Sequence, residues 1–185
     1  PGVTLTVNPG VRVALEDDTV IQVEGTLRVL GLPGREVIFT TKRVTPAPGV
    51  WGEFRFPLNC QDTTFDGNRD HSAGSTIEHA IIEYGGKLGA AVKGDRCTFA
   101  LYGTTIRYSG AVGVAWDFDD DTNGLVIRDL TVVDNVSHGV YANGDYIGSG
   151  DLEISDSWIG RNGGSGIDST YANLITVDRT VLIAN

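Results

Sequence analysis

The sequence predicts an all-β chain folded as a single-stranded, right-handed parallel β-helix of about seven coils, and three observations predict it. The first is composition. Val (20), Ile (13) and Thr (18) supply more than a quarter of the 185 residues, while Lys occurs three times and Met not at all, a β-branched bias that suits a pleated surface and disfavours helix. The second is punctuation. Twenty-five glycines, about twice the ordinary share, interrupt every apolar stretch, so nothing sustains the three- and four-residue steps of an amphipathic helix. The third is a repeat: Tyr84, Tyr108, Asn135, Asn162 and Asn185 anchor similar segments at spacings of 24, 27, 27 and 23 residues. A unit this short cannot bury its own apolar face and must stack on its neighbours. Crossovers between parallel strands are right-handed, hence the handedness expected. A β-sandwich is the second choice, which the in-column repeat disfavours.

In chain order, VTLTV (3–7), VRVAL (11–15), VIQVEGTLRV (20–29) and EVIFT (36–40) alternate apolar and polar residues as half-buried strands do. Leu5 and Leu27 are 22 residues apart, as are Val7 and Val29. RVTPAPG (43–49) is a proline-bearing loop, and 57–75 reads as an irregular loop insertion. From residue 77 each unit places a short strand before its anchor (Ile81-Ile82, Thr105-Ile106, Val132-Val133, Trp158-Ile159), a glycine-bearing turn after it, and then a second strand. In that second strand the columns Ala90/Val114/Val140/Ile167 and Val92/Trp116/Ala142/Ser169 are expected to face inward, and Ala91/Ala115/Tyr141/Asp168 outward. The last unit, 175–185, reaches Asn185 without a second strand. The expectation is therefore one β-helix domain over 1–185, cut from a longer solenoid, its ends covered by neighbouring coils of a parent chain or by end-to-end self-association. At roughly 4.8 Å per coil the rod would be about 35 Å long.

Charge narrows the partners. The net charge is -10, with the second half of the chain the more acidic, so an electrostatic grip on nucleic acid or an anionic membrane surface is not expected. No apolar run approaches the roughly 18 residues a membrane span needs. Cys60 and Cys97 fit neither a zinc nor a C-x-x-C spacing; they form one bridge or stay as two buried thiols. His71, His79 and His138 are too scattered in register for a metal site.

Three groups of residues carry candidate chemistry. Asp119, Asp121 and Asn123, followed by Gly124, resemble the first half of a calcium loop, in which alternating oxygen ligands wrap a hard cation, with Asp117 as a further candidate ligand; Leu130 stands where the closing glutamate would be. The choice is between bound Ca2+ and a solvated acidic loop. Asn135 and Asn162 recur before glycine-rich turns, Asn185 stands at the same repeat position, and the three read as an inward ladder satisfying turn backbone, which sets aside the sequon Asn135-Val136-Ser137 as a glycosylation site. Glu83, Arg107, Asp134 and Arg161, just before the anchors, alternate in sign from coil to coil as an outward salt-bridge column would.

VEGTLRVLGLPGREVIFTTKR (23–43), PGVWGEFRF (48–56) and IEHAIIEYGG (77–86), together with Asn135 to Gly139-Val140 and Asn162 to Gly166-Ile167, resemble the secreted bacterial parallel β-helix proteins of the pectate-lyase-like superfamily over nearly the whole chain. The resemblance implies a secreted or cell-surface location and an asparagine ladder inside a tight turn. It does not choose an activity, since the superfamily spans lyases, hydrolases, epimerases and adhesins. Ser137-His138-Gly139 is similar to the short histidine-glycine motif of its pectin hydrolases, but their paired-aspartate and Arg-x-Lys motifs have no counterpart. The reading favoured is a non-catalytic module, a stalk, adhesin or segment binding a polysaccharide or surface glycan. The alternative is a carbohydrate-active enzyme, a lyase, hydrolase or epimerase, with Asp119, Asp120 and His138 as its candidate residues.

Overall fold

A computed structural model describes residues 2–118, 124–144 and 149–185. Three parallel sheets run the length of the molecule, and no helix occurs among the described residues. The first sheet stacks Thr4–Val7, Thr26–Leu30, Thr76–Glu78, Ala100–Tyr102, Leu125–Arg128, Ser149–Ser155 and Ala172–Asp178; the second stacks Arg12–Leu15, Val37–Thr41, Ala80–Glu83, Thr105–Arg107, Thr131–Val133, Trp158–Gly160 and Val181–Ile183. The third holds Ile21–Gln22, Phe54–Phe56, Ala90–Asp95, Val112–Phe118, Val140–Gly144 and Ile167–Thr170. The chain visits the sheets in turn, so each circuit is one coil and the solenoid has about seven. Leu5 pairs with Leu27 and Val7 with Val29, the 22-residue period read from the sequence.

Because strand side chains alternate in direction, each sheet sends one apolar column inward. The first contributes Val29, Ile77, Leu101, Ile127 and Ile154, and the second Phe39, Ile82, Ile106, Val132 and Ile159. All are buried. In the third, Gly94 stands between Phe56 and Trp116. A Cβ there would lie 2.6 Å from the Cys97 carbonyl oxygen, 2.7 Å from the Phe99 ring and 3.0 Å from the Trp116 ring, so glycine makes room for these two rings. Burial fades in the last coil, where Val177, Leu182 and Ile183 are exposed.

Two registers differ from the sequence reading. Val92, not Ala90, lies beside Val114, and Gly94, not Val92, beside Trp116. A slip of two residues preserves the inward face; it arises because the turn from Gly85 to Gly89 is two residues longer than its counterpart from Ser109 to Ala111. Ala91 and Ala115, expected outward, are both buried within their strands, and the turn before Ala91 is closed by the bonds of Gly86 N–H to Gly52 O (2.6 Å) and Lys87 N–H to Trp51 O (3.2 Å). The second difference is by one residue: Arg107 lies beside Val133 rather than Asp134. Tyr84, Tyr108, Asp134, Arg161 and Ala184 instead share a corner at positive φ of 65°, 56°, 57°, 55° and 52°. The ladder position follows it, and there Ser109, not Tyr108, precedes Asn135.

The insertion 57–75 contains an antiparallel hairpin, Thr64–Phe65 with His71–Ala73. Its turn is tied by Asp66 Oδ1, which accepts the N–H groups of Asn68 (2.8 Å) and Asp70 (3.0 Å). A disulfide joins Cys60 to Cys97 with Cα atoms 6.1 Å apart.

Candidate functional site

The asparagine ladder is a closed structural unit. Asn135 Oδ1 accepts Ser109 N–H at 2.9 Å, and Asn135 Nδ2 donates to Asn162 Oδ1 at 2.9 Å and to Ile106 O at 3.4 Å. Asn162 repeats the pattern with Asn185 Oδ1 (2.9 Å) and Val132 O (3.1 Å). Asn135 and Asn162 are buried, and their hydrogen-bonding capacity is spent on backbone and on each other, leaving nothing for a ligand.

The charged residues form pairs across neighbouring coils. Arg161 grips Asp134 bidentately (2.8 and 2.7 Å) and Arg179 grips Asp156 in the same manner (2.6 and 2.7 Å). In each case the arginine's hydrogen bonds hold the carboxyl below the ordinary range. All four residues sit at left-handed corners, φ 52° to 57° for Asp134, Asp156 and Arg161 and 43° for Arg179, so the pairs brace bends where non-glycine residues are strained. Asp156–Arg179 was not read from the sequence, although the same spacing logic applies to it. Glu83 corrects the expectation of an outward column. It is buried, because Thr40 Oγ1 donates to it at 2.8 Å and Arg107 donates through Nε (3.0 Å) and Nη2 (2.7 Å). Tyr84 and Tyr108 stack with centroids 5.3 Å apart; their faces cover each other, so they are a ladder rather than a platform for a sugar ring.

Of the calcium residues, Asp117 is placed on the third sheet with its carboxylate 3.0 Å from Lys93 Nζ; Asp119, Asp121 and Asn123, with Asp120, lie outside the described residues. His138 accepts Ser165 N–H at Nδ1 (3.0 Å) and lies 3.8 Å from Asp168 Oδ2, its ring stacked on Tyr141 at 5.9 Å. Cys60, Asp62 and Cys97 converge, but the disulfide consumes both thiols, and Asp62 Oδ1 accepts Thr98 N–H at 2.8 Å.

The insertion crosses the outer face of the first sheet. It is bonded to the second coil by Thr26 Oγ1 to Gln61 Oε1 (3.1 Å) and Leu27 N–H to Ser75 Oγ (3.0 Å), and to the fourth by Thr63 N–H to Thr98 O (3.1 Å). Farther along, Arg128 Nη1 reaches Asp70 at 2.6 Å and Arg69 Nε reaches Glu153 at 3.2 Å. Thr76, Ala100 and Val126, outward by alternation, are accordingly buried. The cover leaves a depression on either side. One, of about 230 Å³, is lined by Arg128, Glu153, Asp156, Asp178 and Arg179, and both arginines are held by carboxylates within it or at its edge. The other, of about 410 Å³, lies between the insertion and the first two coils. Its floor is Thr4, Thr26 and Arg28; its wall is Gln61 and His71 to Gly74. Arg28 is exposed and unpartnered among the described residues. This groove, with an available cation and hydroxyl and amide groups, is the candidate site, and sequence reasoning missed it because its two sides are far apart in the chain. No family model, no curated protein and no solved structure matches this chain.

Proposed function

We propose that this chain is a non-catalytic β-solenoid module of the pectate-lyase-like superfamily, secreted or displayed on a cell surface as a stalk or adhesin, that binds glycan on its flank. The observation that carries the non-catalytic reading is the state of its arginines. Arg107, Arg128, Arg161 and Arg179, which could act as bases or charge clamps, are each bound to a carboxylate on an adjacent coil or on the insertion. A group so engaged braces the stack and must break a charge-assisted pair before it can act on a substrate. The Cys60–Cys97 disulfide supports an oxidising compartment. The test is incubation with a panel of acidic and neutral polysaccharides, with and without calcium, read both as reducing-end or unsaturated-product formation and as retention on immobilised glycan. Retention without product is expected; sustained product formation overturns the reading.

A carbohydrate-active enzyme is the second reading, favoured by His138 with Asp168 and Tyr141 around its ring; product formation abolished by His138→Ala would establish it. Calcium binding by the acidic run stays a proposal, supported by its alternating oxygen ligands. Calorimetry showing no heat, with an unchanged melt in millimolar calcium, removes it.

A further inference from the structure

We propose that the groove between the insertion and the first two coils is a subsite for an oxyanion carried on a sugar, a carboxylate or a sulfate ester, with Arg28 as its counter-charge. The proposal rests on the glycan-binding reading above and adds the location and the chemical class of the ligand.

The argument begins with an imbalance of charge. The chain has ten more acidic than basic side chains, and most of its lysines and arginines have found a carboxylate. Arg28 has not, although its neighbours in register, Thr6 and Thr76, place it on the same outer face as the paired Arg128. No Asp or Glu lines the groove. An exposed guanidinium in a carboxylate-free hollow on an acidic protein is a local positive site, and its planar fork matches the paired oxygens of a carboxylate or sulfate.

The other lining groups suit a polyhydroxylated ligand. Gln61 uses Oε1 to accept from Thr26, which leaves its amide N–H groups as donors. Thr4 presents a hydroxyl beside Thr26, its partner in register. Ser72 is committed to the hairpin, donating to Thr64 O at 3.0 Å, so it shapes the wall rather than adding a donor. The wall is also pre-positioned. The disulfide fixes one end of the insertion, and Leu27 N–H to Ser75 Oγ fixes the other, so little ordering cost falls on the ligand. About 410 Å³ lies within the usual range of small-ligand sites, roughly 300–1,000 Å³.

The test is titration of the intact protein with glucuronic acid, glucose 6-sulfate, glucose and inorganic sulfate, followed by calorimetry and by NMR shifts of the groove amides. Both anionic sugars are expected to perturb amides of Thr26, Arg28, Gln61 and Ser72, and Arg28→Gln to weaken them about tenfold, the worth of one charge-assisted hydrogen bond. Arg12→Gln, which removes another exposed and unpartnered arginine on a different sheet, should leave binding unchanged and so separates this site from bulk electrostatics. Preference for one anionic sugar over the other identifies which oxyanion the site takes. Glycan retention that Arg28→Gln leaves intact overturns the subsite and spares the module reading; no binding of any sugar or polysaccharide overturns both. Arg28-dependent binding of sulfate alone, with no contribution from the sugar, also overturns the proposal. Equal melting temperatures for wild type and Arg28→Gln, expected at an exposed site, certify the comparison.

Discussion

Asn162 is bonded above and below, so its replacement tests the ladder directly. Asn162→Leu removes the acceptor of Asn135 Nδ2 and the donor to Val132 O, and should cost on the order of 1–3 kcal/mol through buried polar groups left unpaired. Thermal unfolding measures it. Gly139 is constrained from the same side: a Cβ there would lie 2.6 Å from Gly166 O and 2.6 Å from Ile159 Cγ2, and Gly139→Ala should lose about 1–3 kcal/mol by overpacking. Single ionisable residues set the pH dependence with opposite signs. Asp17, Asp134 and Asp156 are each held down by an arginine hydrogen bond. Their stabilisation is present above the unfolded value, about 3.9, and is lost as pH falls through the lower folded values. Glu53 is the reverse. Burial pushes its carboxyl up, more than Arg55 pulls it down, and its Oε2 has no partner among the described residues. The proton it retains favours the fold below the unfolded value, about 4.3, and that contribution is lost as pH rises through the raised folded value. Glu53→Gln should therefore gain in melting temperature over wild type at neutral pH and lose the gain near pH 4, whereas Asp134→Asn should flatten the acid limb. A gap for Glu53→Gln that widens on acidification would overturn the assignment.

At the level of elements, the insertion is where pattern reading and structure part most widely. Its strands, Thr64–Phe65 and His71–Ala73, are too short to show alternation; the Asp66-Gly67 turn has a local signature, but the contacts with Thr98, Arg128 and Glu153 that hold the hairpin to the coils have none. The repeat strands were legible because each carries one inward apolar column. The registers differ from the pattern where the turn from Gly85 to Gly89 is longer than its counterpart, and where Tyr84 and Tyr108 occupy the corner one position before the asparagines. The disulfide closes a separation of 37 residues. Its reduction should cost about 4 kcal/mol on the chain-entropy model. It should also expose 57–75 to proteolysis before the coils, a result readable by limited digestion with and without reductant.

For the molecule as a whole, a stack of coils in contact only with their neighbours makes stability depend on position along the axis. Ile127, fully buried between Leu101 and Ile154, and Leu182, 50% exposed in the last coil, sit in comparable inward columns. Ile127→Ala should cost about 2–5 kcal/mol and Leu182→Ala under about 1 kcal/mol, a contrast that chemical denaturation of the two variants measures. Equal losses would mean that the last coil is covered in solution. The sequence alone determined that this chain is a parallel β-solenoid of about seven coils, that its apolar columns face inward, and that asparagines occupy a recurring turn position. Those are local statements, encoded in alternation and period, and each coil repeats them. Tertiary structure alone decided that Asp70 and Arg69 of the insertion meet Arg128 and Glu153, that Glu83 is buried, that the cysteines meet, and that Arg28 stands beside the insertion without a partner among the described residues. Each depends on how far one coil is displaced against the next and on where a 19-residue excursion between strands comes to rest. A two-residue change of register exchanges partners while keeping the inward face that folds the coil.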